Sequence, residues 1–148
     1  MGSMFAMMNI SASALAAERQ RAEVTSANLA NAETTRTADG GPYVRKEVVF
    51  SAASPSSFNS VLGNLGDGAI PGSVRLTQVV DDPTPPVMRY DPGNPDANTN
   101  GYVAYPAINP EMEMVDLMNA VRSYQLNASA ISAAKQMIQE SIDILKTT

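Results

Sequence analysis

The sequence predicts an α+β chain: long N- and C-terminal helices pair as a coiled coil, with a small β-rich middle domain between them. Three observations predict it. All 10 Pro fall between Pro42 and Pro110, and every Gly except Gly2 falls between Gly40 and Gly101, so both chain ends are free of helix breakers. Apolar side chains recur every seven residues in both ends. The middle carries short β-branched and aromatic runs bounded by Gly, Pro and Asn. The chain divides accordingly into a helical arm at 1–35, a β-rich middle domain at 36–108 with a mobile loop at 51–71, and a long helix at 109–148.

In the first helix Met8, Leu15, Ala22 and Leu29 recur at seven. Ile10, Ala17 and Val24 do the same, roughly 160–200° around the helix. Two opposed apolar stripes do not suit a one-sided amphipathic helix. They suit a helix held between two neighbours, or a core helix of an ordinary bundle. Near its end stand Asn28 and Asn31. They either supply specific amide hydrogen bonds or terminate the helix, since Asn tolerates a left-handed end.

Four strands are expected in the middle. Tyr43 to Phe50 follows the turn residues Gly40, Gly41 and Pro42. Ser73 to Val80 stops at Asp81-Asp82-Pro83. Val87 to Tyr90 and Tyr102 to Tyr105 are shorter, and Asn100-Gly101 is a hairpin-type turn signal. Residues 51–71 are rich in Ser, Gly, Asn and Ala and read as a loop or small flap.

The last helix starts at Asn109-Pro110-Glu111, with Asn as the N-cap, Pro at the first helical position and acids in the first turns. Glu111, Glu113 and Asp116 face the positive end of its dipole, and Lys146 sits near the negative end. Leu117, Tyr124, Ile131, Ile138 and Leu145 are spaced at seven, as are Met114, Val121, Ala128, Lys135 and Ile142. Together they predict a seam against another long helix. From Pro110 to Lys146 such a helix rises roughly 55 Å. Its other side is dominated by Asn, Gln, Ser and Ala, including Gln125 and Asn127, which allow close approach without burying charge. That side is also expected to meet protein. A lone helix of this kind is marginal in water, so the arms are expected to order on assembly.

Composition narrows the chemistry. His and Cys are both absent, which removes imidazole acid–base catalysis, thiolate chemistry, disulfides and the usual zinc or copper sites. A net charge of −5 argues against nucleic-acid binding. No apolar stretch approaches the roughly 18 residues of a membrane helix, so the chain is not expected to insert in a membrane, and the start lacks the pattern of a cleaved signal peptide. Asp96 to Gly101 matches the first half of a calcium loop, but Ala107 stands where the bidentate acid belongs, so a turn before a strand is the better account. Asp81-Asp82 is a carboxylate pair without a partner base. No enzyme, metal site or cofactor is expected.

The segments Ile10 to Leu15 and Ala27-Asn28-Leu29-Ala30-Asn31-Ala32-Glu33-Thr34, the run Tyr90-Asp91-Pro92-Gly93 with Pro95, Ala97 and Gly101-Tyr102-Val103, and the stretch from Asn109-Pro110 through Glu113-Met114-Val115-Asp116-Leu117-Met118 to Arg122, Tyr124, Gln125 and Asn127 resemble the bacterial flagellar basal-body rod family, and within it the proximal rod. The resemblance implies a structural subunit whose terminal helices polymerise into the periplasmic drive shaft and export channel. It implies export without a cleaved signal peptide. Implied partners are further copies, other proximal rod proteins, the distal rod protein, the rod–MS-ring adapter and the flagellar export apparatus. The expected assembly residues are Met8, Leu15, Ala22, Val24, Asn28, Leu29, Asn31, Met114, Leu117, Val121, Tyr124, Gln125, Asn127, Ile131, Ile138, Ile142 and Leu145. A coiled-coil adaptor, or a type III secretion needle or inner-rod-like subunit, is the alternative.

Overall fold

The computed structural model describes residues 2–52 and 73–146, and side chains from Phe5 onward except Leu145. The expected loop at 51–71 therefore lies, beyond Ala52, outside the described residues, as does the side chain of Leu145. In chain order the elements are α1 (Gly2–Ala30), β1 (Lys46–Ala52), β2 (Val74–Asp81), β3 (Val87–Tyr90), β4 (Tyr102–Tyr105) and α2 (Pro110–Lys146). Two long helices flanking a small set of strands is the α+β architecture the sequence predicts. None of the described helices is long and apolar enough to cross a membrane.

The strands form two separate pairs, β1 with β2 and β3 with β4. The β3–β4 pair is antiparallel, with Val87 opposite Tyr105 and Tyr90 opposite Tyr102. Period-two alternation sends Arg89 and Val103 to one face and Met88, Tyr90, Ala104 and Tyr102 to the other. Val103 is fully buried, and the Arg89 guanidinium lies over the Tyr105 ring at 4.9 Å. On the other face Tyr90 and Tyr102 meet edge to face at 5.4 Å. The connection folds back through Asp91 N–H to the Gly101 carbonyl at 2.9 Å, and Asn98 Oδ1 accepts the amides of Asn100 and Tyr102. Gly101 ends the turn at φ +77°, where a Cβ would stand 2.9 Å from the Tyr90 ring.

The chain forms two compact units. One gathers Met1–Gln20, Phe50–Thr77 and Ala120–Thr148; the other gathers Arg21–Val49 and Gln78–Asn119. Among the described residues of the first unit the buried apolar groups are alanines, Ala17, Ala120 and Ala134, and Ser13 Oγ accepts the Val74 amide at 3.1 Å. The second holds the β3–β4 hairpin, the last turns of α1 and the first turns of α2.

β1 begins at Lys46 rather than Tyr43, whose backbone is engaged elsewhere. The Tyr43 amide donates to the Thr34 carbonyl at 3.0 Å, closing the turns that follow α1. Asn109 caps α2 as expected: its Oδ1 accepts from the Glu111 and Met112 amides at 3.0 and 3.4 Å.

Candidate functional site

A dense polar constellation among the described residues lies in the second unit and centres on Asn28, which is only 1% exposed. An amide side chain has two donors and two acceptor lone pairs, and here all four are used. Oδ1 accepts the Lys46 amide at 2.9 Å and the Tyr43 hydroxyl at 3.1 Å. Nδ2 donates to the Lys46 carbonyl at 2.9 Å and to Glu113 Oε2 at 3.2 Å. Toward Lys46 the side chain thus behaves like the peptide group of a neighbouring strand, taking one N–H and giving another.

Glu113 is the second member and is 3% exposed. Its Oε1 accepts from Arg45 Nε at 2.7 Å. The Arg45 Nη1 group also reaches Glu47, and Asp82 Oδ2 at 3.3 Å. Burial opposes the guanidinium charge, but the hydrogen bonds and charges of Glu113 and Glu47 outweigh it and hold Arg45 protonated beyond its ordinary range. Asp82 Oδ1 accepts both the hydroxyl and the amide of Thr84, and these bonds, with Arg45 behind them, hold its carboxyl below the ordinary value. Burial, then the negative charges of Asp81 and Glu113, push the Tyr43 phenol up. The bonds of Asn28, and those of Arg45 to Glu113 and Asp82, clamp four segments together: the end of α1, the residues leading into β1, the end of β2 and the start of α2.

Asn31 ends α1. Its Nδ2 donates to the Ala27 carbonyl at 2.8 Å and its Oδ1 accepts the Thr34 hydroxyl at 3.1 Å. It does so without the left-handed backbone that Asn tolerates; among the described residues positive φ is confined to Gly40, Gly41 and Gly101. Asp96, first residue of the calcium-like segment, accepts from Thr35 Oγ1 at 2.8 Å and Arg36 Nη1 at 3.3 Å, and so ties the loop after α1 to the hairpin connection. Among the described residues no group of three or more acids is placed to hold a metal.

The helices place the expected assembly residues unequally. In α1 both stripes are partly covered: Met8, Leu15, Ala22, Leu29 and Val24 are half-buried, as is Asn31 beyond the helix. Asn28 has no surface to offer a neighbour. In α2 the row Leu117, Ile131 and Ile138 is half-buried, and Tyr124 continues it at the edge of exposure. The row that accompanies it is Glu113, Ala120, Asn127 and Ala134, one residue before the expected Met114, Val121, Ala128 and Lys135. Met114, Val121, Gln125 and Ile142 are exposed, while Ala128 is half-buried. The seam sits on the smaller side chains because alanine permits the closest approach, whereas counting large apolar residues draws it one position too far. Glu113 also belongs to this row as a paired carboxylate, not as a solvated dipole partner.

One row is absent from the expectation. Val115, Leu126 and Met137 are spaced at eleven, nearly three full turns, and so share a side of α2. They are 51%, 66% and 46% exposed, and Ile144 extends the row. Counting by elevens as well as by sevens finds it in the sequence.

Family comparisons place these features. Residues 8–36 match the family described as Flagella basal body rod protein, and residues 99–144 match Flagellar basal body rod FlgEFG protein C-terminal. Similar proteins include flagellar basal-body rod protein FlgC of Bacillus subtilis, 40% identical over 147 residues, covering 96% of this chain and 98% of the relative. The same-named protein of Borreliella burgdorferi is 34% identical over 149 residues, covering 97% and 98%. That of Salmonella typhimurium is 37% identical over 139 residues, covering 93% and 95%. The first family match contains Asn28 and Asn31 and the second contains Glu113, so two of the clamp's three principal side chains stand in matched segments.

Proposed function

The chain belongs to the flagellar basal-body rod protein family, and we propose from that premise that it occupies the proximal rod, polymerising through its two terminal helices. It is a structural subunit, and its family assembles with other flagellar rod and basal-body components. The finer reading takes its partners to be other proximal rod proteins, the distal rod protein and the rod–MS-ring adapter, after passage through the flagellar export apparatus. Its work is mechanical: torque passes across repeated helix contacts in the periplasm, and no catalytic step is needed. A needle or inner-rod-like subunit is not favoured, because relatives matching nearly end to end are rod proteins.

The observation that carries the mode of assembly is the exposed row Val115, Leu126 and Met137. Large apolar groups aligned on one side of a long helix favour burial against another helix. Repeated head-to-tail contacts that do not close build a filament. On this reading the covered row around Leu117 and Ile131 organises the chain itself, while the exposed row, with Met114, Met118 and Val121 beside it, faces neighbouring subunits.

Leu126→Asp tests this. The side chain is already in water, so the stability of the purified monomer is expected to change by less than about 0.5 kcal/mol in urea unfolding. Cells carrying only this variant are expected to lack completed rods and to be non-motile, because the charge would be buried in the contact. Normal rods and swimming would remove the row from the interface.

A further inference from the structure

Each long helix has an inner stretch in the second unit: Arg21 to Ala30 of α1 and Pro110 to Asn119 of α2. Among the described residues, these stretches carry side-chain clamps to other segments. Asn28 pins α1 to both the N–H and the C=O of Lys46 and to Glu113. Glu113 pins α2 to Arg45. Each stretch is also closed at its inner end, α1 by Asn31 bonding back to Ala27 and α2 by the Asn109 cap. In the outer part of α2, by contrast, Asn127, Ser129, Ser132 and Ser141 spend their side-chain donors on carbonyls of their own helix. Such back-bonding fixes a helix to nothing else.

This arrangement bears on how a helix begins. Forming the first turn is the costly event, with a nucleation constant of about 10⁻³, while each further residue adds at little cost. A helix that already owns one pinned, capped end has nucleation behind it. α1 is pinned at its C-terminal end and α2 at its N-terminal end, so each can grow outward from its pinned stretch.

We propose that the Asn28–Glu113–Arg45 cluster is a latch that keeps Arg21 to Ala30 and Pro110 to Asn119 helical in the unassembled chain, as two preformed nuclei from which the outer turns propagate. The latch belongs to the free monomer. Only the occasion for propagation, packing into the rod, rests on the assembly reading above. It makes subunit addition a matter of extending two helices rather than starting them. It also moves the boundary between pre-ordered and assembly-ordered chain from the helix ends to their interiors, near Gln20 and Ala120.

Hydrogen exchange of the full-length monomer tests the latch without any assembly. Amides of 22–30 and 114–119 are expected to exchange about a hundredfold more slowly than those of 127–146. Asn28→Asp preserves shape but sets two carboxylates face to face and removes the donor to Lys46. It is expected to abolish the difference in both stretches together, although they are far apart in sequence. Adding Glu113→Gln to Asn28→Asp returns a donor between the two positions, and protection is expected to recover about tenfold in both. Equal exchange of inner and outer turns, intact protection in Asn28→Asp, or no recovery in the double variant would each overturn the latch. Failure of Leu126→Asp to block rods would instead strike the assembly reading and leave this result standing.

Discussion

Asn28 and Leu126 both sit in long helices of the same chain, in opposite surroundings. Around Asn28 polar groups are buried and every hydrogen-bonding position is filled from another segment. Around Leu126 large apolar groups stand in water while alanines fill the covered side. Buried polar networks of the first kind specify one arrangement, because any other leaves a donor or charge unpaired. Surfaces of the second kind accept a partner without specifying much until it arrives. The contrast suits a subunit that must keep part of itself defined before assembly and leave the rest to be defined by its neighbours.

The sharpest way to break this contrast is Arg45→Ala. It leaves the Glu113 carboxylate buried with Asn28 as its remaining partner in the cluster. Removing one member of a fully buried pair costs about 3–5 kcal/mol, and the half-buried Arg45 is expected to cost less than that but well above the near-zero change of Leu126→Asp. Urea unfolding of the two purified variants checks both. Glu113→Gln added to Arg45→Ala is expected to recover part of the loss, since it removes the stranded charge. Equal stability of Arg45→Ala and the parent would show that the inner turns are held by packing instead.

A second change asks whether the latch or the hairpin defines the second unit. Gly101→Ala meets two obstacles, a backbone at φ +77° and a Cβ position 2.9 Å from the Tyr90 ring. A side chain in the left-handed region costs roughly 1–2 kcal/mol, and the Tyr90 ring, exposed and able to swing, relieves the clash. The expected loss is therefore smaller than for Arg45→Ala, with chemical-shift changes confined to Tyr90, Tyr102 and their neighbours. A loss as large as that of Arg45→Ala would make the hairpin an equal partner in holding the unit.

The elements that came through clearly in the sequence are those whose signals are local. Asn109-Pro110 marks the start of α2 because cap and first turn lie within four residues, and β3 and β4 are bracketed by Pro86, Gly101 and Pro106. β1 came through three residues early: Tyr43 and Arg45 have strand-like side chains, but a phenol and a guanidinium needed by a cluster elsewhere. That cluster was illegible, because its members stand 85 residues apart at Asn28 and Glu113 and nothing in either neighbourhood names the other. Asn28 stands out in the sequence with two roles open, amide bonding and helix termination. The structure divides them, giving bonding to Asn28 and termination to Asn31. The seam of α2 was half legible, since Leu117 and Ile131 announce it by size while Ala120 and Ala134 contribute by being small.

The mildest test lies at the rim of the latch, where Arg45 also reaches Asp82. The folded carboxyl there titrates below its ordinary 3.8, chiefly through the Thr84 hydroxyl and amide and then through Arg45. A depressed carboxylate lends stability that is complete above the unfolded value and is lost as pH falls through the folded one. Asp82→Asn keeps an acceptor for Thr84 and discards the charge. Its unfolding free energy is expected to lie slightly below that of the parent at neutral pH, and the two curves are expected to draw together as the pH falls below about 3.8, where the parent loses the same contribution. A gap that stays constant down to the acid transition would mean that Asp82 acts through its hydrogen bonds alone. Arg45 would then serve the buried Glu113 in earnest and the half-buried Asp82 only by proximity, which confines the charged part of the latch to the inner turns of the two helices.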